Sequence, residues 1–326
     1  MNNISLSNIS KPIKNQLSEF SDVFSASMKS KVGLVDLVTK YILKQKGKKI
    51  RPLLVLLSSK ISGEINERTY RGAVLVELLH TATLVHDDVV DNADKRRGFP
   101  SINAIWKNKI AVLMGDYLLS RGLMIAVEGN DFDFLKIMTG TVKRMSEGEL
   151  LQIQKTRKLD INEETYFKII ADKTASLFET CCEIGARSSS ENPGFHIAMR
   201  KYGENLGIAF QIKDDILDYE GSAKLFGKPI GGDIKEKKIT LPLIHSLAQA
   251  SKDEAANIKN LIKGGGKKDS VNQVINFVHE KNGIAYAEKI AKDYAGRAKK
   301  CLETFPENAS KASLSALIDF VIERKQ

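Results

Sequence analysis

The chain has 326 residues, 42% of them hydrophobic and 28% charged, a globular make-up with ample material for a core. Its formal net charge of +10 favours anionic partners such as nucleic acid, anionic lipid heads or phosphorylated small molecules. Cys181, Cys182 and Cys301 have no C-x-x-C spacing, which excludes a disulfide framework and a cysteine metal knuckle. Residues 1–19 are polar, broken by Pro12 and without an apolar leader segment. No run reaches the roughly 18 apolar residues of a membrane span, so the expected setting is the reducing cytoplasm, not integral to a membrane.

In chain order, the first feature is a basic turn, Gly47-Lys48-Lys49-Ile50-Arg51-Pro52. Residues 69–90 are apolar with few breaks and no alternation, which predicts a helix buried on several sides. It runs into Asp87-Asp88-Val89-Val90-Asp91, and Gly98 and Pro100 are expected to end it just beyond Arg96 and Arg97. Asn162 is the predicted N-cap of a segment through residues 166–183. The apolar stretch 206–212 leads into Asp214-Asp215-Ile216-Leu217-Asp218. Gly227-Lys228-Pro229-Ile230-Gly231-Gly232-Asp233 follows, with Lys235, Lys237 and Lys238 beyond it. Residues 264–270 are low-complexity and read as a surface loop, and Val271, Val274, Ile275 and Val278 have amphipathic helical spacing. Neither hairpin dipeptides nor β-branched alternation predicts strands. With no compositional linker, the expectation is an all-α chain forming a single domain over residues 1–326.

The chemistry lies in the two acidic clusters. On a helix Asp87 and Asp91 share a face and Asp88 lies about 100° round. Carboxylates this close are costly together unless a cation neutralises them, and hard divalent metals take oxygen ligands and bridge to phosphates. Alone, such a motif reads equally well as a solvated acidic helix end. The second cluster repeats the i, i+1, i+4 spacing, so the two could face each other across a bundle and hold metals between them. Arginine offers planar recognition of phosphate, glycine lets backbone approach closely, and lysine supplies point charge. Each basic loop alone reads as solvated surface; together with the carboxylates they imply a substrate rich in phosphate.

The stretch HTATLVHDDVVDNADKRRGFP over residues 80–100 resembles the first aspartate-rich region of the trans-isoprenyl diphosphate synthases. FQIKDDILD at 210–218 resembles the second, GKPIGGDIKEKKITLP their lysine-bearing loop, and GKKIRP their N-terminal turn. The resemblance is most like the long-chain polyprenyl diphosphate synthases, and it covers about residues 40–245 and more faintly the remainder. It implies a large helical bundle of the isoprenoid synthase type with a central active-site cavity, working as a homodimer. Asp87 and Asp91 would then hold two Mg²⁺, with Asp88 in support; Asp214 would bind a third, with Asp215 and Asp218 nearby. Arg96, Lys173, Thr174, Gln211, Lys228 and Lys238 would contact the allylic diphosphate. Lys48, Arg51, His80 and Arg97 would hold isopentenyl diphosphate. Lys46 and Lys237 stand where the family usually has glycine.

By the same resemblance, the reaction lengthens an allylic diphosphate by five carbons, and the departing diphosphate takes the proton. A terpene cyclase shares the first motif but carries a different second one, and a regulatory subunit would show eroded motifs. No nucleic-acid reader motif is present. Thr83 and Ala82 lie four and five residues before Asp87, roughly 6 to 7.5 Å down the helix. Both are small where short-chain members often place an aromatic ring, so a product of C30 or longer is expected, with a farnesyl or geranylgeranyl product as the alternative.

Overall fold

The structure is a computed structural model that describes residues 5–45, 47–96, 98–220, 231–264 and 268–324. It is built almost entirely of helices, as composition and patterning predict. The chain forms two compact units. One comprises Met1–Gly140, Thr180–Arg200 and Thr304–Leu314; the other comprises Thr141–Glu179, Lys201–Glu303 and Ser315–Gln326.

The first unit contains α1 (Leu6–Ile9), α2 (Lys14–Ser27), α3 (Gly33–Lys44), α4 (Ile50–Ser62), α5 (Glu67–Val90) and α6 (Ile102–Glu128). Helix α5 starts at a capping box: the Asn66 side chain accepts from the Thr69 amide at 3.1 Å, and the Asn66 amide donates to Thr69 Oγ1 at 3.2 Å. Buried residues follow almost without a break from Gly72 to Leu79, so α5 is covered on every side, and α6 runs along it. Gly185, on a helix whose later part belongs to this unit, lets that helix approach α4: a Cβ there would stand 2.3 Å from the Val55 carbonyl oxygen.

Two expectations are corrected here. Helix α5 ends at Val90, before Gly98 and Pro100, because Asn92 adopts φ 51° and closes a Schellman motif. The Ala93 amide donates to the Asp88 carbonyl at 2.9 Å and the Asn92 amide to the Val89 carbonyl at 3.3 Å. The chain then makes a small antiparallel ladder, β1 (Lys95–Arg96) on β2 (Phe99–Pro100), turning through Gly98 at φ 82°. Secondly, α6 is long and apolar enough to cross a membrane, with a mean hydropathy of 1.6 in its most apolar window. Scattered polar residues interrupt every apolar run, yet the average over the window stays high.

The second unit holds most of α7 (Phe132–Lys158), then α8 (Glu163–Ile170), a π-turn (Ala171–Ala175) and the start of α9 (Ser176–Ser189). It continues with most of α10 (Pro193–Glu220), α11 (Gly232–Lys235), α12 (Leu241–Ala248), α13 (Lys252–Lys263), α14 (Lys268–Glu280), α15 (Gly283–Cys301) and the end of α16 (Ala309–Glu323). Asn162 caps α8 as predicted, accepting from the Thr165 amide at 2.9 Å. On α14, Val271, Val274 and Val278 are buried and Ile275 packs beside them, following the predicted stripe. Of the surface loop expected over 264–270, residues 265–267 lie outside the described residues, and α14 already starts at Lys268. The core gathers Ile212 and Ile216 of α10 with Leu241, Leu243, Val274 and Ala287.

Gly185→Ala should destabilise the protein by about 1–3 kcal/mol, because the methyl would meet the backbone of Val55 and Ser59 and the Ser58 Cβ, none of which can swing aside. A urea unfolding midpoint equal to that of the unaltered protein would show that the two helices separate at little cost.

Candidate active site

The first acidic cluster is divided by helical geometry. Asp87 and Asp91 are exposed on one face of α5, whereas Asp88 points inward and is only 3% exposed. Its carboxylate accepts from Arg96 Nε at 2.6 Å. Burial pushes the Asp88 carboxyl up, and Arg96 pulls it back. Asp88 therefore anchors the cation-bearing strand β1, while Asp87 and Asp91 stay at the surface. His86 Nε2 donates to the Val112 carbonyl at 3.1 Å and occupies the space that the missing side chain of Gly115 leaves, so it is tied to α6.

Lys48, Arg51 and His80 line one cleft of about 310 Å³, together with Glu77. Far apart in sequence, they meet because α4 packs on α5. Lys49 takes φ 48° at the start of α4 and reaches Ser21 Oγ at 2.8 Å. Arg97 and Lys46 lie outside the described residues.

In the second unit, five predicted residues line one cavity of about 100 Å³: Lys173, Thr174, Gln211, Asp215 and Lys238. Tyr166 and Asp233 complete its polar wall. Asp215 is 3% exposed and accepts from the Tyr166 hydroxyl at 2.6 Å and from Gln211 Nε2 at 2.8 Å. Gln211 in turn accepts from Thr174 Oγ1 at 2.8 Å. Burial and the neighbouring Asp233 push the Asp215 carboxyl well up. Burial, and then Asp218, raise Asp233 to about 6. Asp218 accepts from the Gly232 and Asp233 amides at 3.0 and 3.1 Å, which fixes the start of α11. Asp214 stays 45% exposed and pairs with Arg324 at 2.7 Å. Lys238 meets Glu236 at 2.5 Å. Lys237 takes φ 60°, the conformation for which glycine is suited and which costs a lysine strain. Lys228 lies outside the described residues.

Lys173 and Thr174 are presented by the π-turn, a widened turn that breaks helical register and recurs at functional sites. Arg144 on α7 holds it: Nε donates to Asp172 Oδ1 at 2.9 Å and Nη1 to Glu179 Oε2 at 2.6 Å. Lys168 adds a bond to Asp172 at 3.0 Å. Despite its burial, the Asp172 carboxyl is held below its ordinary range by the hydrogen bonds from Arg144 and Lys168. Two glycines admit the turn: a Cβ on Gly148 would lie 3.0 Å from the Lys173 amide, and one on Gly207 2.6 Å from Ala175 Cα. Lys173 itself meets Glu149 at 2.5 Å. Arg144, Glu149, Tyr166, Asp172 and Arg324 were missed in the sequence; only Asp172 adjoins a recognised motif, the Lys173-Thr174-Ala175 triplet.

Among the described residues no group of three or more carboxylate, imidazole or thiol side chains converges on a metal position. An all-protein cage is thus absent there, but the donor set fits Mg²⁺, which keeps waters and takes one or two carboxylates plus substrate phosphate. Asp87, Asp91 and the half-exposed Asp214 supply hard oxygen donors, with Arg96 and Lys173 near their respective clusters.

Each unit thus carries an acidic cluster with cations close to it, Arg96 at Asp88 in one and Lys173 and Lys238 around the cavity of Asp215 in the other, an arrangement that fits a prenyltransferase. A polyprenyl synthetase family model matches residues 33–278, and the chain belongs to that family. It is 38% identical to an all-trans-nonaprenyl-diphosphate synthase (geranyl-diphosphate specific) of Rhodobacter capsulatus, over 97% of both chains. It is 35% identical to a geranylgeranyl diphosphate synthase of Saccharolobus solfataricus, over 86% of this chain and 87% of that one. The crystal structure of a decaprenyl diphosphate synthase from Rhodobacter capsulatus superposes with a TM-score of 0.93 at 31% identity, covering 99% of this chain and 100% of the other.

Arg144→Gln should raise KM for the allylic diphosphate about 10- to 100-fold by letting the π-turn relax. Arg144→Lys should recover part of that loss. An unchanged KM in the glutamine variant would mean that the turn holds Lys173 and Thr174 without this clamp.

Proposed function

We propose that the chain joins isopentenyl diphosphate to an allylic diphosphate in a Mg²⁺-dependent reaction that yields a trans-polyprenyl diphosphate of C30 or longer. One observation carries the length: Ala82 and Thr83 are both small, Ala82 2% exposed and Thr83 turned back on its own helix with Oγ1 donating to the His80 carbonyl at 2.9 Å. Neither side chain is bulky enough to stop a growing tail. The similarity to the nonaprenyl and decaprenyl enzymes supports the same reading, while the geranylgeranyl relative keeps a C20 product as the second.

Asp87, Asp91 and Asp214 would hold Mg²⁺, which would supply neutralisation of the allylic diphosphate and its stabilisation as a leaving group. Arg96, Lys173 and Lys238 bind and orient the allylic diphosphate, and Thr174 and Gln211 fix the polar wall beside it. Lys48, Arg51 and His80 hold isopentenyl diphosphate so that its alkene can reach the allylic carbon. The three cysteines are free thiols, which supports a reducing, cytoplasmic setting. The whole chain acts as one catalytic domain. It pairs with a second copy through α6, whose Val112, Leu113, Met124 and Val127 are 41–55% exposed and form an apolar face.

Turnover of isopentenyl diphosphate with a farnesyl or geranylgeranyl primer should be abolished by EDTA. Asp87→Ala and Asp214→Ala should each lower it by orders of magnitude with helix content intact. Near-normal turnover in either variant would remove that residue from the metal set.

Ala82→Phe should shift products toward C15 or C20, read by mass analysis after dephosphorylation. A C20 product from the unaltered protein would refute the long-chain reading. Light scattering at micromolar concentration should give the mass of a dimer; a monomer would overturn the pairing through α6.

A further inference from the structure

The pairing of Arg324 with Asp214 has a construction that a chance surface ion pair lacks. The Arg324 side chain is 8% exposed, although it follows the last residue of α16. Its guanidinium lies over the Phe210 ring with the central carbon 3.9 Å from the centroid. Nη2 donates to the Phe210 carbonyl at 2.8 Å and meets Asp214 Oδ1 at 2.7 Å. Nε is buried without a hydrogen-bond partner. Phe210 and Asp214 stand one turn apart on α10, so ring, carbonyl and carboxylate present one face to the planar cation. Desolvation works against the charge, and the carboxylate of Asp214 holds it there.

The other two carboxylates of the cluster are already committed: Asp215 to Tyr166 and Gln211, and Asp218 to two backbone amides. Asp214 is the one that remains well exposed, and it already carries a cation.

We propose that Arg324 is a cation placeholder, competing with a divalent metal for Asp214 and coupling metal entry at the second cluster to release of the last turn of α16. This rests on the reading of Asp214 as a metal ligand. A guanidinium in direct contact with the carboxylate repels an arriving divalent ion and cancels part of the charge that attracts it. Its effect is opposite to that of an outer-shell partner, which orients a ligand and whose loss weakens metal binding about 10- to 100-fold. The sign of the change therefore separates the two roles.

The test uses Mn²⁺ binding followed by electron paramagnetic resonance, without substrate, in an Asp87→Asn, Asp91→Asn background that silences the first cluster. Arg324→Gln should bind Mn²⁺ about tenfold tighter, and Arg324→Lys, which keeps the charge, should stay within about twofold of the parent. Unchanged or weaker binding in Arg324→Gln overturns the proposal. If adding Asp214→Asn leaves Mn²⁺ binding unaltered, the metal reading of Asp214 fails, and the placeholder with it. Should Arg324→Gln not fold, hydrogen exchange on the unaltered chain decides. The Arg324 amide, which donates to the Phe320 carbonyl at 3.1 Å, should exchange faster on addition of Mg²⁺, and equal rates overturn the coupling.

Discussion

Carboxylates crowded onto one turn of helix repel one another, and a chain that carries two such turns has to stay folded without metal. This protein meets that constraint one side chain at a time. Asp88 goes inward to Arg96, Asp215 to a tyrosine hydroxyl and a glutamine amide, Asp218 to two backbone amides, and Asp214 to Arg324. Asp87 and Asp91 stay at the surface, where water screens them. Each compensation also places something else: β1, the polar cavity wall, the start of α11, the end of α16.

The helical period makes that division of labour possible. With residues i and i+4 on one face and i+1 turned about 100° away, a single motif offers an outward pair and an inward anchor. The second cluster uses the same arithmetic differently, since its third carboxylate is taken by backbone and its first by a cation. Two motifs with the same letters therefore have different electrostatics: in the first, two of three carboxylates face water, and in the second only Asp214 remains well exposed.

Close backbone approach does the remaining positioning. Gly148 and Gly207 admit the π-turn that carries Lys173 and Thr174, and Gly115 admits His86 beside the first cluster. Arg144 then fixes the turn through two carboxylates. A side chain on a regular helix points where the helix directs it; the extra residue of a π-turn re-aims it at the cost of register.

The helical class, the burial of α5, the Asn162 cap, the α14 stripe and the motifs that place acidic and basic residues side by side were all legible in the sequence. They depend on periodicity, capping and short motifs, which are local. The end of α5 was misread because left-handed Asn92 closes the helix, and Gly98 is the more obvious signal. The apolar length of α6 was misread because interruptions were weighed above the average. The partners of the acidic residues were not legible: Tyr166 and Asp215 are 49 residues apart, Arg144 and Asp172 28, and Arg324 and Asp214 110. Such pairs are set by which helix faces meet, and a single chain of letters does not encode that in any fixed spacing. Sequence determined which groups could bind metal and diphosphate; tertiary packing decided which carboxylates remain at the surface to do so, because burial and a fixed partner commit the others.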